Sequence, residues 1–283
     1  MKPVRYTEVD LVIAPLEPWR DLLMAEMIEL GYEGFEETAH GLKAYIATAQ
    51  FRAKDLDRTL VMRDPHVHVA FTAREVPNLN WNAKWEEAFQ PMVVDGKVYI
   101  RAEFHPPMDG IAQEVIITPR MAFGTGHHAT TRMMVRSMLG MKIPGKRICD
   151  LGCGTGVLAI LAEKMGASQV VAIDNDPNAV ENARRNAELN HCQRVAVEKG
   201  DAHLQQRASF DAILANIERN TLIRAMPEMA AALRPGGTLV LSGFVRGDGP
   251  LMAMAARQQG LVPIGQEEEG EWQLQRWEKN KDQ

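Results

Sequence analysis

The sequence predicts an α/β protein in which a small α+β domain precedes a larger domain built on a mostly parallel β-sheet. In the first 76 residues, apolar spacings typical of strands and helices follow one another in the order β-α-β-β-α-β. From residue 146 onward, short apolar strands alternate with helical stretches, which is typical of a parallel sheet covered on both faces. The length of 283 residues suits two domains with separate cores.

The amino-terminal pattern is a split βαβ unit. Alternation of Val9, Leu11 and Ile13 predicts the first strand, and Pro15 and Pro18 then end it and open a helix. Apolar spacing with turn residues between the runs gives the remaining elements. The predicted elements are a strand at 6–14, a helix at 19–30, strands at 32–38 and 42–48, a helix at 53–62 and a strand at 66–76.

Residues 77–112 are interpreted as a linker between the two domains. Prolines bound its first part, which reads as a helix whose aromatic residues recur at intervals of four. These residues are Trp81, Trp85 and Phe89. We expect this stripe to serve as packing between domains rather than as a substrate platform. A hairpin through Asp95 and Gly96 is predicted next. The resulting domains are 1–76 and 113–283.

In the larger domain, the apolar runs are short and are separated by helical stretches. We expect the carboxyl ends of these strands to share one edge of the sheet, where α/β proteins bind ligands. The predicted strands are 148–151, 169–174, 195–199, 212–215 and 238–242.

The clearest chemical signal is a glycine-rich turn that joins the first of these strands, which ends near Asp150, to a helix. The turn contains Gly152, Gly154 and Gly156. Positions without a β-carbon let the backbone approach a ligand closely. Dinucleotide-binding turns place two residues between the second and third glycines, and this turn places one, which argues against a nicotinamide or flavin cofactor. The turn resembles the first motif of class I methyltransferases, whose glycines face the methionine portion of S-adenosylmethionine.

Polar residues also follow the next three strands. Asp174 lies 18 residues after Gly156, where a carboxylate can accept hydrogen bonds from ribose hydroxyls; its alternative role is to cap the following helix. Asp201 occupies the place where this fold often contacts the adenine amino group. Asn216 is a candidate for the reaction centre, where its amide oxygen can orient an attacking amine.

A second glycine-rich turn lies upstream of the first sheet strand. It contains Phe123-Gly124-Thr125-Gly126, then His127-His128 and the pair Thr130-Thr131. Together with the glycine-rich loop and Asn216-Ile217, in that order, it resembles the PrmA-type ribosomal protein methyltransferases, which modify protein eleven of the large ribosomal subunit. The resemblance covers nearly the whole chain. It departs from the family pattern at Arg120, at His127-His128-Ala129 and at Glu218-Arg219.

The resemblance implies a class I methyltransferase fold, Rossmann-like with a mostly parallel seven-stranded sheet, and a small ferredoxin-like domain that recruits the substrate. It implies an S-adenosylmethionine-dependent protein-lysine N-methyltransferase that methylates lysine ε-amino and N-terminal α-amino groups of a large-subunit ribosomal protein. Carried over by position, the family implies a cofactor site that includes the catalytic residue Asn216. The expected cofactor-binding residues are Phe123, Gly124, Thr131, Gly152, Gly154, Asp174, Asp201 and Asn216.

Composition limits the remaining roles. A net charge of -5 argues against an electrostatic grip on nucleic acid, and three cysteines suit a reducing compartment. The first residues lack the apolar core of a signal peptide, and no run of about 18 apolar residues occurs, so we expect a cytoplasmic protein with no membrane partner. We also expect a monomer. Adjacent His127 and His128 do not share a helical face, so no metal is expected.

Two alternatives stay open. One is methylation of a nucleic-acid base nitrogen or of a release-factor glutamine; such enzymes follow the asparagine with two prolines and an aromatic residue, which Ile217-Glu218-Arg219 lacks. The other is a non-catalytic binding module that retains the fold. Titration with S-adenosylmethionine separates a cofactor-binding protein from such a module.

Overall fold

In the computed structural model, the chain divides into two compact units, Met1–Ala88 and Phe89–Gln283. Each unit has a hydrophobic core of its own. The structure describes residues 5–16, 19–32, 34–76, 90–118, 129–201 and 210–281.

The first unit has the predicted β-α-β-β-α-β order on an antiparallel sheet with strand order β2-β3-β1-β4. The alternating residues Val9, Leu11 and Ile13 are buried and pack with residues of the first helix, as the pattern predicts. The elements are β1 Tyr6–Ala14, α1 Trp19–Glu29, β2 Gly34–Thr38, β3 Gly41–Ala47, α2 Ala53–Leu56, α3 Leu60–Arg63 and β4 His68–Val76.

The second predicted helix of this unit is interrupted. Instead of one helix over 53–62, the chain forms two single turns, because Thr59 caps the second of them. Its Oγ1 accepts a hydrogen bond from Met62 N at 3.2 Å and donates one to Leu56 O at 2.9 Å. A capping residue inside an apolar pattern therefore divides the helix.

The predicted linker ends earlier than residue 112. Residues 92–102 form two strands whose apolar side chains, except that of Val93, are buried, and the second unit begins at Phe89 rather than after residue 112. The hairpin is confirmed, with Asp95 at φ 50° and Gly96 at φ 64°. The aromatic stripe lies outside the described residues. The strands are β5 Met92–Val94, β6 Val98–Ala102 and β7 Gln113–Ile117, in the order β5-β6-β7.

The second unit then alternates helices and strands, as the sequence predicts. All five predicted strands are present; the first is one residue longer than predicted, and the fourth and fifth extend further at both ends. The elements are α4 Ala129–Leu139, β8 Arg147–Leu151, α5 Val157–Lys164, β9 Gln169–Asp174, α6 Pro177–Leu189, β10 Val195–Lys199, β11 Phe210–Asn216, α7 Arg219–Ala232, β12 Leu233–Val245, α8 Gly249–Gln258, β13 Leu261–Glu269 and β14 Trp272–Lys279.

These strands form a seven-stranded sheet with the order β10-β9-β8-β11-β12-β14-β13. Neighbours from β10 to β12 are parallel, and β14 runs antiparallel to β12 and to β13, so the sheet is mostly parallel, as predicted. Alternate strand residues pack against α4, α5 and α6 on one face, and against α7 and α8 on the other. None of the described helices has the length and apolarity needed to cross a membrane.

Candidate functional site

Three of the predicted site residues lie at the same level along one edge of the sheet. Leu151 of β8 pairs with Ile173 of β9 on one side and with Ala215 of β11 on the other. The residues that follow these three in the sequence are Gly152, Asp174 and Asn216, respectively. All three therefore reach the carboxyl edge of the parallel strands together, where sheets of this class bind ligands.

The glycine-rich loop between β8 and α5 is tied to the end of β9. Gly152 N and Cys153 N both donate hydrogen bonds to Ile173 O, at 2.8 and 3.0 Å. Gly152 has a φ of +70°, and a Cβ at this position would overlap Ile217 Cγ2. Glycine is thus required here both by the backbone conformation and by the lack of space.

Asp150 anchors the helix that follows the loop. Its side chain is only 1% exposed, and Oδ2 accepts a hydrogen bond from Ala159 N in the first turn of α5 at 3.0 Å. Burial raises the pKa of Asp150 to about 7; the Ala159 N–H opposes this shift and the nearby Asp174 carboxylate adds to it. The protonated carboxyl anchors the start of α5, and its ionisation lowers the stability of the folded protein.

Asp174 is held by backbone amides on both sides. Oδ2 accepts a hydrogen bond from Gly154 N at 2.9 Å, and Oδ1 accepts one from Asp176 N at 3.0 Å. The alternative role of helix cap is filled by Asp176, whose side chain accepts from Asn178 N at the start of α6. Each oxygen of the half-buried Asp174 carboxylate retains acceptor capacity for a further donor.

Asp201 lies beyond the end of the neighbouring strand β10. Lys199 pairs with Asp174, and Gly200 N donates a hydrogen bond to Asp174 O at 2.9 Å. Asp201 is exposed and is followed by residues 202–209, which lie outside the described part of the chain. Its predicted contact with adenine stays a prediction.

Asn216 ends β11 beside Ser242 of β12 and is half-buried. The residue after it, Ile217, fits between two glycines, because a Cβ on Gly243 would overlap Ile217 O just as one on Gly152 would overlap its side chain. Gly243 has a φ of +93° and lies where the pairing register of β12 shifts. Sequence reasoning missed Gly243, and a glycine inside a long apolar strand was its only signal.

Glu218, at one of the departures from the family pattern, is the N-terminal cap of α7. Its carboxylate accepts hydrogen bonds from Thr221 N at 2.8 Å and Asn220 N at 3.0 Å. The hydrogen bond from the Thr221 hydroxyl lowers the pKa of Glu218, and the backbone bonds add to that shift. The residue therefore fixes the start of the helix that follows Asn216-Ile217.

The remaining predicted site residues are less defined. Thr131 is buried in α4, and its neighbours Met133, Met134 and Met138 are core residues. Phe123 and Gly124 lie outside the described residues. So do His127 and His128, and the described residues contain no group of three His, Cys, Asp or Glu side chains arranged to hold a metal.

The cysteines near the loop are packing residues. Cys149 and Cys153 are buried and are not joined in a disulfide. Burial raises the pKa of Cys153 well above its usual value, and the carboxylates of Asp150 and Asp174 raise it further. A thiol of this kind stays protonated, so it is a poor nucleophile.

Comparisons with known proteins converge on one family. A family model described as ribosomal protein L11 methyltransferase (PrmA) matches residues 23–279. A ribosomal protein L11 methyltransferase of Porphyromonas gingivalis is 43% identical over 250 residues, which cover 87% of this chain and 86% of that protein. One from Phocaeicola vulgatus is 37% identical over 273 residues, covering 95% and 97%.

A solved structure shares the fold. It is the ribosomal protein L11 methylase of Lactobacillus delbrueckii subsp. bulgaricus, with a TM-score of 0.61 and 22% sequence identity. The match covers 68% of this chain and 98% of that one. Identity this low supports the shared fold and carries no information about individual site residues.

Proposed function

The chain belongs to the ribosomal protein L11 methyltransferase family, and from that premise we propose that it transfers methyl groups from S-adenosyl-L-methionine to ribosomal protein L11. The proposed acceptors are lysine ε-amino groups and the N-terminal α-amino group. The observation that carries the proposal is the common level of Gly152, Asp174 and Asn216 at the carboxyl edge of the sheet. A loop, an acid and an amide at one edge suit a nucleoside beside an attacking amine.

The residues at this edge fit the proposed cofactor. The loop carries glycines of positive φ at residues 152 and 154, and Asp174 presents a carboxylate that backbone amides already orient. A carboxylate fixed in this way can accept hydrogen bonds from two ribose hydroxyls without reorganising. We therefore assign Asp174 to the ribose and the loop to the methionine portion, with Thr131, Phe123 and Gly124 as further proposed contacts and Asp201 on the adenine.

The chemistry asks mainly for positioning. When bound, S-adenosylmethionine supplies a methyl group on a sulfonium, which is already a good leaving group. Asn216 accepts an N–H of the acceptor amine on its amide oxygen and so fixes the nitrogen lone pair toward the site. The amine must be neutral before it attacks, and removal from water lowers the pKa of an amine in the required direction.

The proposed setting follows from the family and the composition. We propose that the ferredoxin-like unit recruits the ribosomal protein and that the enzyme works as a cytoplasmic monomer without direct contact to nucleic acid. The antiparallel sheet of this unit has the order expected for that fold, and the net charge of -5 gives no general attraction for a phosphate backbone.

The test combines binding with transfer. The purified full chain is incubated with isotopically labelled S-adenosylmethionine and purified ribosomal protein L11, and intact-mass and peptide spectrometry locate the added methyl groups. We expect label on lysine side chains and on the amino terminus, and no label with an Asp174→Ala variant. If the chain binds S-adenosylmethionine but transfers no methyl group to ribosomal protein L11, the proposed substrate is wrong. If it does not bind S-adenosylmethionine, it is a non-catalytic module.

A further inference from the structure

Three asparagines recur at intervals of four residues along α6 and its carboxyl-terminal cap. They are Asn182, Asn186 and Asn190, which are 1%, 0% and 8% exposed. Residues with this spacing lie above one another on a helix. Polar side chains buried to this degree are normally hydrogen-bonded, so the partners of each amide indicate what the row does.

Asn190 pairs with the free edge of β7. Its Oδ1 accepts a hydrogen bond from Ile116 N at 2.9 Å, and its Nδ2 donates to Ile116 O and to Asn186 O. β7 is the outer strand of its sheet, with β6 on its other side. The side-chain amide thus takes the place that a neighbouring strand would fill, and it satisfies both backbone groups of Ile116.

Asn186 makes one bond of the same kind and one that differs. Its Oδ1 accepts a hydrogen bond from Thr118 N at 2.8 Å. Thr118 follows Ile116 by two residues, so the two N–H groups point to the same side of the strand. The Nδ2 of Asn186 donates to Thr155 O, also at 2.8 Å. Thr155 lies between Gly154 and Gly156 in the glycine-rich loop and is fully buried. One buried side chain therefore links the loop to the end of β7.

We infer that Asn186 is a positioning residue for the cofactor loop. Thr155 O is held by Asn186, while the peptide N–H of Gly154 is held by Asp174 on the other side. The two partners thus fix the 153–154 and 155–156 peptide groups, one on each side of the 154–155 peptide, which glycines alone would leave free to rotate. The inference rests on the proposed function only in so far as that loop receives S-adenosylmethionine.

A purely structural role would make Asn186 and Asn190 equivalent. Both cover the edge of β7, both lie on the same helix face, and both are asparagines, so they form a matched pair. Only Asn186 has a bond to the loop. An effect on the cofactor that appears at Asn186 and not at Asn190 therefore belongs to the link with Thr155.

The experiment uses the full chain with Asn186→Ala, Asn190→Ala and Asn186→Asp. Urea unfolding measures stability, and calorimetric titration with S-adenosylmethionine measures affinity. We expect Asn186→Ala to weaken binding about tenfold and Asn190→Ala to change it less than about twofold, although both lower the unfolding midpoint. At saturating cofactor, Asn186→Ala should retain the wild-type kcat, because Asn186 is a partner of the loop and of β7, not of the proposed reacting atoms.

Asn186→Asp separates the two hydrogen bonds of this side chain. Its carboxylate still accepts from Thr118 N but directs an oxygen at Thr155 O, so we expect a loss of affinity like that of the alanine variant. Wild-type affinity in Asn186→Asp would overturn the inference, as would equal losses in Asn186→Ala and Asn190→Ala. This variant also keeps the side-chain volume, which preserves the packing of α6.

A second measurement does not need the cofactor. Hydrogen exchange of the peptide 152–156 in the free protein should quicken in Asn186→Ala and stay at the wild-type rate in Asn190→Ala. Unchanged exchange in both variants would overturn the positioning role. Normal cofactor binding by the wild type without methyl transfer to ribosomal protein L11 would instead overturn the proposed function and leave this inference standing.

Discussion

Ile217 Cγ2 occupies the space that a β-carbon on Gly152 would need. The two residues come from different strands, since Gly152 follows β8 and Ile217 follows β11. Their contact joins the glycine-rich loop to the end of the strand that carries Asn216. The proposed cofactor site and the proposed reaction centre are therefore held together by direct packing. We expect a substitution in one of them to shift side chains in the other.

A methyl group at residue 152 should disrupt this contact. We expect Gly152→Ala to lower the free energy of unfolding and to abolish measurable binding of S-adenosylmethionine by calorimetry. The matched control is Gly145→Ala, since Gly145 has a similar φ of +76° but no atoms within 4 Å of its Cβ position. The control should cost only about 1 kcal/mol, the price of the left-handed backbone. Equal effects of the two substitutions would show that Ile217 leaves room for a side chain.

Removal of the Asp174 carboxylate should act on affinity. Asp174→Ala is expected to weaken binding of S-adenosylmethionine at least about tenfold, because hydrogen bonds to a charged acceptor are lost. Asp176→Ala is the control: it removes the cap of α6 and costs about 1 kcal/mol of stability, with affinity retained. Calorimetric titration and urea unfolding of both variants decide the matter. Tight binding by Asp174→Ala would exclude the proposed ribose contact.

Asn216 should act on the rate more than on binding. We expect Asn216→Ala to lower kcat about 10- to 100-fold at saturating substrates, because the amine loses its orienting partner. Asn220→Ala, at an exposed position in the first turn of α7, should leave kcat unchanged. Single-turnover transfer to ribosomal protein L11 measures both. A wild-type rate in Asn216→Ala would remove this residue from the reaction centre.

Asp150 should make stability depend on pH. Its pKa rises from 3.8 to about 7 on folding, so the folded protein favours the protonated carboxyl. This contribution is complete below the unfolded pKa and is lost as the pH rises through the folded pKa. Asp150→Asn lacks the titration but keeps an oxygen for Ala159 N. We expect its stability relative to wild type, measured by urea unfolding, to increase by more than about 1 kcal/mol between about pH 4 and pH 8.

The exposed cap Glu218 gives a control of opposite sign. Its folded pKa is lowered, so its contribution is present above the unfolded pKa and is lost as the pH falls. Relative to wild type, Glu218→Gln should therefore lose stability as the pH rises. If both variants followed pH in the same direction, a general charge effect rather than the burial of Asp150 would be responsible.

Asn182 should respond differently from Asn186 and Asn190. Neither polar atom of this buried side chain, Oδ1 or Nδ2, has a hydrogen-bond partner among the described residues. Replacement by an apolar residue of similar volume removes an unpaired amide, so we expect Asn182→Leu to raise the free energy of unfolding by about 1 kcal/mol. Asn190→Leu, which breaks the bonds to Ile116, should lower it. A loss of stability in Asn182→Leu would show that its amide has a partner.

Apolar alternation was enough to place much of the fold. The bounds of β1 agree with the predicted strand 6–14. Val9, Leu11 and Ile13 are buried, whereas Asp10 is half-buried and Val12 is exposed. Capping was harder to foresee, and Thr59 divides a helix that apolar spacing predicted as continuous. Apolar alternation did not predict strand β13 either, because β13 ends in glutamates at the open edge of the sheet.

The site was predictable where it depends on strand ends. Parallel strands finish at one edge, so the polar residues after β8, β9 and β11 could be grouped from the sequence. The residues that hold the glycine-rich loop could not, because Asn186 lies 31 positions from Thr155 and 68 from Thr118. An asparagine on a helix resembles a solvent-facing residue until the strand that covers it is known. The same holds for Ile217, whose partner Gly243 lies on another strand.

The position of β14 sets the order in which the sheet can be completed during synthesis. β13 emerges from the ribosome first, yet its only strand partner in the described sheet is β14, which lies between it and β12. The outer edge of β12 consequently stays open until translation has passed residue 279. A nascent chain stalled before that point would expose backbone able to pair with other chains, so synthesis of β14 removes an edge that could start aggregation.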